Sequence, residues 1–155
     1  MSPPAVVFVD TSVIARFIGI DGERLAIEVA AEFDRRREAG QKFVLPVTAL
    51  IEAGNRVAQM SSNRRRFAER LQQVIEEANR PHPPWILHQA TLDQQFAEEL
   101  LAGNSTGSDL VTLLGDGRLG TGDVAILVER DQFKQSLAHA GVEVWTFDNE
   151  LSAYG

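Results

Sequence analysis

The chain has 155 residues, of which 44% are hydrophobic and 24% charged, with no cysteine and a formal net charge of −7. This length predicts about one domain with an apolar core, and the composition argues against disordered, collagen-like and coiled-coil chains. The missing cysteines exclude disulfides, thiolate metal sites and cysteine nucleophiles, which favours a cytoplasmic location. The sequence shows neither a secretory signal nor a membrane-spanning run, so no membrane partner is expected.

Charge is segregated along the chain. Residues 1–80 hold 12 of the 15 basic and 11 of the 22 acidic residues, a balance of +1, whereas residues 81–155 hold 3 and 11, a balance of −8. The negative total discourages a nucleic-acid partner, because affinity there depends on Lys and Arg side chains that neutralise phosphates. The distribution is therefore more informative than the total.

Short apolar runs alternate with amphipathic segments along the sequence. Strands are predicted at 6–9, 43–45, 85–87 and 142–147, and helical spacing falls at 11–17, 25–40, 48–57, 63–79, 92–101, 108–114 and 121–140. Within the last helix, the alternation of Val124, Ile126 and Val128 leaves a strand open as an alternative. Strands separated by helices imply a mostly parallel sheet covered on both faces. The predicted fold class is a three-layer α/β sandwich in one domain, residues 1–155.

Four acidic residues are expected at one edge of this sheet. Asp10 follows the first strand and Asp148 follows the last, and ligands of such sheets bind at the carboxyl ends of the strands. Glu52 lies in the first turns of the helix that leaves the second strand, and its side chain tilts back toward that end. Asp123 falls in the first turn of the helix that begins near Thr121. Four carboxylates from distant parts of the chain are therefore predicted to converge.

Each acid also has an ordinary structural interpretation. Asp10 can form an Asx turn, Asp148 a turn after a strand, and Asp123 a favourable contact with a helix dipole. Glu52 in an apolar stretch needs a partner. The coincidence of all four favours a site, because neighbouring carboxylates raise one another's pKa values unless a cation intervenes.

A hard divalent cation, Mg²⁺ or Mn²⁺, is the expected cofactor, because such ions take oxygen ligands and support in-line displacement at phosphodiesters. Thr11, Ser12 and Asn149 can hold the carboxylates or a water molecule in place, and helix capping is the simplest role for Ser12.

Four stretches carry a resemblance to a known family. Val9-Asp10-Thr11-Ser12-Val13-Ile14, the run 45–52 ending in Glu52, Gly120-Thr121-Gly122-Asp123 and Trp145-Thr146-Phe147-Asp148 resemble the acidic signatures of PIN-domain nucleases, in the same order. The resemblance covers nearly the whole chain. The chain departs from compact toxin members by an enlarged region from about Asn63 to Asn104, and its segment 49–59 resembles a bacterial PIN-like branch.

The resemblance implies a parallel sheet of about five strands and cleavage of single-stranded RNA, as in VapC-type ribonuclease toxins. It implies Asp10, Glu52, Asp123 and Asp148 as metal-binding and catalytic acids. It further implies an antitoxin protein as partner where the nuclease is a toxin, and a homodimer.

Substrate contacts are expected near the basic segment that follows Glu52. Arginine is suited to phosphate through its planar fork, and the concentrated patch comprises Arg56, Arg64, Arg65, Arg66 and Arg70. Substrate binding is predicted for Thr11, Ser12, Asn55, Arg56, Arg64 and Arg65. An exposed, solvated helix start explains Arg64–Arg66 equally well.

Other chemistries find little support. His82, His88 and His139 lack metal-ligand spacing, and no phosphate-cradling loop with its lysine is present. The two tryptophans and most phenylalanines lie in apolar runs and are predicted to be core. Two further functions stay open: a catalytically silent PIN-like module that binds RNA or protein through the arginine patch, and a phosphohydrolase of small phosphates.

Overall fold

The computed structural model describes residues 5–136 and 141–154. Its strands are β1 (Val6–Val9), β2 (Lys42–Pro46), β3 (Trp85–His88) and β4 (Val142–Trp145). Its helices are α1 (Thr11–Ile18), α2 (Glu23–Glu38), α3 (Val47–Ala58), α4 (Arg64–Glu77), α5 (Gln94–Ala102), α6 (Leu110–Gly115), α7 (Thr121–Ser136) and α8 (Asn149–Ser152).

The four strands form one parallel sheet in the order β3-β2-β1-β4. The chain moves from β1 to β2 and β3 on one side, and then returns through α5, α6 and α7 to place β4 on the other side of β1. The strand order therefore reverses between β1 and β4. In open parallel sheets, the carboxyl ends of the strands at such a reversal border a crevice where ligands bind.

Helices cover both faces of the sheet. The ring of Phe8 lies 5.3 Å from that of Phe133 on α7, and the ring of Phe43 lies 4.7 Å from that of Phe33 on α2. Because Phe43 is in register with Val7, and successive strand residues alternate in direction, Phe8 and Phe43 point to opposite faces. The apolar core therefore extends on both sides of fully buried strands β1 and β2.

The predicted α/β class and parallel sheet are confirmed, but the sheet has four strands over the described residues, where the family resemblance implied about five. The alternating segment that left a further strand open is helical. Residues 124 and 126–130 of α7 are all buried, so this helix is enclosed on several sides and its apolar residues do not follow a single stripe. The predicted extension of this helix over 137–140 lies outside the described residues.

Strand β4 ends earlier than predicted. It stops at Trp145, so Thr146 and Phe147 lie in the loop that leads to α8.

Over the part of the chain that the structure describes, no helix has the length and apolar character that a membrane crossing requires.

Candidate metal centre at the carboxyl edge of the sheet

The four predicted acids are each held at the start of a helix or close to one. Asp10 is the N-cap of α1 immediately after β1, and Asp148 is the N-cap of α8 three residues after β4. Asp123 lies in the first turn of α7, and Glu52 lies in the second turn of α3, which follows β2 directly. Helix α3 packs against both α1 and α7. The fold therefore carries all four acids to the same region.

The charges of these acids act on one another. Burial raises the pKa of the Glu52 carboxyl, and the carboxylates of Asp123 and Asp10 raise it further. Burial also raises the pKa of the Asp123 carboxyl, against a hydrogen bond from the Gly120 N–H that lowers it, and Asp10 and Asp148 add to the rise. Each of the four acids thus interacts electrostatically with at least one other. These influences connect Glu52 with Asp123 and Asp10, and Asp123 with Asp10 and Asp148.

Asp10 is held by one of its two carboxylate oxygens. Its Oδ2 accepts hydrogen bonds from the Ser12 hydroxyl at 2.8 Å, the Thr146 hydroxyl at 2.7 Å and the Ser12 backbone N–H at 3.3 Å. Its Oδ1 is buried and has no hydrogen-bond partner among the described residues. The residue is only 3% exposed. One oxygen therefore fixes the carboxylate, and the other is left for a ligand.

The hydroxyl groups of Ser12 and Thr146 also accept hydrogen bonds from backbone amides. Ser12 Oγ accepts from the Phe147 N–H at 3.0 Å, and Thr146 Oγ1 accepts from the Asp148 N–H at 3.0 Å. Each hydroxyl has a single proton, so both can donate to Asp10 while the backbone amides of the β4–α8 loop donate to them. The prediction that Ser12 caps α1 is wrong, because Asp10 is the cap and Ser12 is the second residue of the helix.

Three buried side-chain oxygens lack a hydrogen-bond partner over residues 5–136 and 141–154: Asp10 Oδ1, Thr11 Oγ1 and Glu52 Oε1. All three belong to residues predicted for this site. The Thr11 hydroxyl lies near Glu52 and partly offsets the rise of its pKa, although the two side chains are not in hydrogen-bond geometry. Buried polar groups are nearly always paired, and exceptions require an explanation such as a missing ion.

The carboxyl group of Glu52 lies directly against the first turn of α7. A Cβ atom added to Gly122 would come within 1.7 Å of Glu52 Oε1 and 2.7 Å of its Cδ. A side chain at position 122 is therefore incompatible with the observed position of Glu52. Since Asp123 is the next residue, this close approach brings the two carboxyl groups to the same end of α7.

The donor set suits a hard divalent cation. The candidate ligands are carboxylate oxygens, with a threonine hydroxyl beside them, and Mg²⁺ and Mn²⁺ prefer such oxygen donors. The unpaired Oδ1 of Asp10 and Oε1 of Glu52 are atoms that a cation could satisfy. In the described part of the chain, no three side chains are already gathered in the geometry of a metal centre.

Two arginines and a phenylalanine are linked to the acid site through a series of contacts. Arg16 on α1 and Arg56 on α3 both approach the carboxylate of Asp21, at 3.9 and 3.5 Å. The guanidinium of Arg16 also lies over the ring of Phe147, 3.9 Å from its centroid. Phe147 follows the last strand, which was predicted to include it, and is 38% exposed. Arg16, Asp21 and Phe147 were missed from the sequence.

The other predicted arginines are divided between structural and surface positions. Arg66 and Arg70 both bind Glu23, at 2.7 and 2.8 Å, and Arg70 also donates to the backbone oxygen of Ile18. These contacts fasten α4 to the α1–α2 corner. Arg64 and Arg65 are exposed at the start of α4, where Arg65 approaches Glu69. Of the predicted patch, Arg56 is linked to Phe147 indirectly, through Asp21 and Arg16, and the exposed Asn55 precedes it on α3.

Two other features of the described residues are not linked to the four acids by a hydrogen bond or an ion pair. A shallow groove of about 780 Å³ between α3 and α4 is lined mainly by apolar groups, with Arg64 and Arg65 at its rim, and it lacks a converging set of catalytic groups. His88, at the end of β3, is paired with the buried Glu129 of α7, whose pKa is raised by burial. His88 is thus a partner of a buried acid, whereas His139 lies outside the described residues.

The residue missed at the centre of the site is Thr146. The sequence indicates a role for Thr146 only through its position, which is one residue after β4 and two before Asp148. The prediction of a strand that continues to Phe147 hid this position. Arg16 is four residues after Ser12, which is the spacing of neighbours on one helix face.

No protein-family model and no curated protein sequence matches this chain.

Proposed function

We propose that this chain is a PIN-like, Mg²⁺- or Mn²⁺-dependent endoribonuclease that hydrolyses phosphodiester bonds in single-stranded RNA. One observation carries the proposal: the three unpaired buried oxygens of the described residues all belong to Asp10, Thr11 and Glu52. A folded core rarely leaves such atoms without a partner, and here they lie among mutually repelling carboxylates. This is the environment of a cation site.

Asp10, Glu52, Asp123 and Asp148 would hold one or two divalent ions. Such an ion, when bound, lowers the pKa of water and neutralises the charge that develops on the phosphate oxygens during displacement. The hydroxyls of Ser12 and Thr146 fix Asp10 through Oδ2 and leave Oδ1 free. Asp148 uses Oδ1 to accept from the N–H groups of Glu150 and Leu151, which leaves its Oδ2 for the site.

The proposal includes the setting that the family resemblance implies. The protein would act in the cytoplasm on single-stranded RNA, and as a toxin it would be held inactive by an antitoxin protein. A homodimer is the expected assembly. These statements depend on the resemblance of the four acidic stretches and are tested separately from the chemistry.

The test is cleavage of a mixed RNA pool by the purified chain with Mg²⁺ or Mn²⁺, with a chelator as control. We expect metal-dependent cleavage that Asp10→Asn and Asp123→Asn each reduce by more than about 100-fold, because each removes a charged ligand from the site. Asp34→Asn is the matched control, since Asp34 is exposed on α2 and, among residues 5–136 and 141–154, forms an ion pair with Arg37 alone.

Undiminished cleavage in both site variants, or cleavage that a chelator leaves unchanged, would contradict the proposal. RNA binding without cleavage at any metal concentration would assign the chain to the catalytically silent module. Turnover of a chromogenic phosphomonoester, with RNA left intact, would point to a small-phosphate hydrolase.

A further inference from the structure

The exposed ring of Phe147 stands at the edge of the acid site. Its backbone N–H binds Ser12 Oγ, the hydroxyl that holds Asp10, and the next residue is Asp148. The backbone of Phe147 is therefore fixed next to the residues that hold Asp10. Among the phenylalanine, tyrosine and tryptophan side chains of the described residues, Phe147 is the exposed one, whereas Phe33, for example, packs between Phe43 and Trp145.

Arg16 holds the ring of Phe147 in place. Its guanidinium covers one face, 3.9 Å from the centroid, and Trp145 approaches at 6.2 Å with the two rings tilted by 67°. With these contacts made, Phe147 is still 38% exposed. The uncovered part of the ring is an aromatic surface that is already oriented, so a ligand that stacks on it loses little side-chain entropy.

The positive charge beside the Phe147 ring is not fully neutralised. Arg16 and Arg56 share the single carboxylate of Asp21, and their side chains are 30% and 42% exposed. Arg16 is one helical turn beyond Ser12, and Arg56 is one turn beyond Glu52. Two guanidinium groups thus lie on the same helix faces as the residues of the acid site, and a guanidinium is the side chain best suited to a phosphate.

We infer that Phe147 is a nucleobase-stacking residue and that Arg16 and Arg56 bind the phosphates beside it, so that the site takes an oligonucleotide chain. This inference rests on the proposed function and adds to it the residues that contact the bases and the phosphates of the substrate. Aromatic rings next to a basic track are the usual means by which proteins bind single strands, because every base has a stacking face. A small phosphomonoester has no group for Phe147 to contact.

The test measures equilibrium binding to a fluorescein-labelled single-stranded oligouridylate RNA and to a ribose-phosphate oligomer of equal length that lacks bases. An Asp123→Asn background with Mg²⁺ present limits cleavage during the measurement. We expect Phe147→Ala to weaken binding of the oligouridylate by about 5- to 100-fold and to leave binding of the base-free oligomer unchanged. Phe147→Trp should retain affinity for the oligouridylate.

The arginine variants give a different signature. Arg16→Gln and Arg56→Gln should weaken binding of both oligomers and lower the salt dependence of binding by about one phosphate contact each. Arg80→Gln is the matched control, because Arg80 precedes β3 at the opposite edge of the sheet. Leu101→Ala on α5, at 57% exposure, is the control for loss of an exposed apolar side chain.

Three binding results would overturn the inference. The first is normal binding of the oligouridylate by the Phe147→Ala variant, and the second is an equal loss of affinity for both oligomers. The third is failure of the Asp123→Asn background to bind either oligomer. A deoxyuridylate oligomer bound as tightly as the RNA would exclude RNA as the preferred ligand. Cleavage is measured separately, without the Asp123→Asn substitution. Base-dependent binding by a chain that does not cleave RNA would overturn the proposed catalysis and leave the stacking role standing. If Phe147→Ala leaves both the rate and the KM of cleavage unchanged, the stacking role alone is overturned.

Discussion

Asp10 divides its two carboxylate oxygens between different tasks. Oδ2 receives both hydroxyl protons and a backbone N–H, whereas Oδ1 receives no hydrogen bond from the described residues. A carboxylate fixed in this way can present one oxygen to a cation without losing its orientation. Groups that hold a ligand side chain commonly change metal affinity or activity by 10- to 100-fold when they are removed.

Replacement of Thr146 by Val tests this division. The substitution keeps the branched shape but removes the proton that Thr146 donates to Asp10 and the oxygen that accepts from Asp148. We expect activity to fall by about 10- to 100-fold and the Mg²⁺ concentration needed for half-maximal activity to rise. Both quantities follow from RNA cleavage measured over a range of Mg²⁺ concentrations.

Thr146→Ser is the control for this prediction, since it restores the hydroxyl while removing a methyl group. Recovery of the Mg²⁺ dependence in the serine variant would identify the hydrogen bond as the cause. Equal losses in the two variants would show that the methyl group and its packing matter instead, and would contradict a positioning role for the hydroxyl.

At the scale of elements, the first turn of α7 provides Asp123 and also the space for Glu52. The missing side chain at Gly122 allows the Glu52 carboxyl to lie against the helix. The backbone of Gly122 is helical and has no positive φ, so close approach is the reason that a glycine is needed here. Two helices, α3 and α7, therefore meet at a point where their acids face each other.

Gly122→Ala is expected to separate stability from activity. Alanine is the better helix former by about 1 kcal/mol, and the group it would meet is the end of a flexible side chain, so the fold should persist. Displacement of Glu52 by about 1 Å or more should lower kcat by roughly 100-fold. Thermal unfolding and cleavage rates, measured on the same preparation, test both parts.

Gly115→Ala in α6 is the matched control, because a Cβ atom there meets nothing within 4 Å. It should leave the cleavage rate at the wild-type value. Full activity in Gly122→Ala would mean that the observed place of Glu52 is unimportant for catalysis, and loss of the fold would contradict the assignment of the clash to a movable side chain.

The sequence was most informative where the local pattern and the tertiary role coincide. Buried β-branched runs ending in Asp10 and preceding Asp148 identified two strands and the edge where they end, because parallel strands align their carboxyl ends. The turns of α3 and α7 placed Glu52 and Asp123 by the same geometry. Four strands were readable from apolar runs alone, and the fifth came only from the family resemblance.

The sequence did not predict the side chains that loops bring to the site, or the burial of α7 on several sides. Thr146 and Phe147 continue the apolar run of β4, and only the end of sheet pairing after Trp145 distinguishes them. Asp21 lies between Arg16 and Arg56 because of the turn that joins α1 to α2. In α7, burial on several sides removes the helical stripe, which is why Val124, Ile126 and Val128 also resembled a strand.

For the whole molecule, the four acids lie where the strand order reverses between β1 and β4. The carboxyl ends of β1 and β4 supply Asp10 and Asp148, and helices that pack beside them supply Glu52 and Asp123. Burial and mutual repulsion raise the pKa values of the last two. These two carboxyl groups, ionised at neutral pH against their raised pKa values, therefore lower the stability of the folded chain there.

Asp123→Asn should consequently stabilise the protein in the presence of a chelator. Because the folded-state pKa of Asp123 lies above its ordinary value of 3.8, the folded chain binds this proton more tightly than the unfolded chain. Stability then falls as pH rises above 3.8, and the loss is complete at pH values above the raised pKa. We expect the variant to gain about 1 kcal/mol, a few degrees in Tm, at pH 7, and to match the wild type below pH 3.8.

Mg²⁺ should reverse this order. At ten times its Kd, an ion that binds only the folded wild-type chain adds about 1.4 kcal/mol to the free energy of unfolding, whereas the variant should gain much less because it lacks one ligand. Thermal unfolding with and without Mg²⁺, at several pH values, measures both effects, and Asp34→Asn serves as a control that should respond like the wild type. Destabilisation by Asp123→Asn in chelator, or equal Mg²⁺ shifts in variant and wild type, would show that the four acids do not form a cation site.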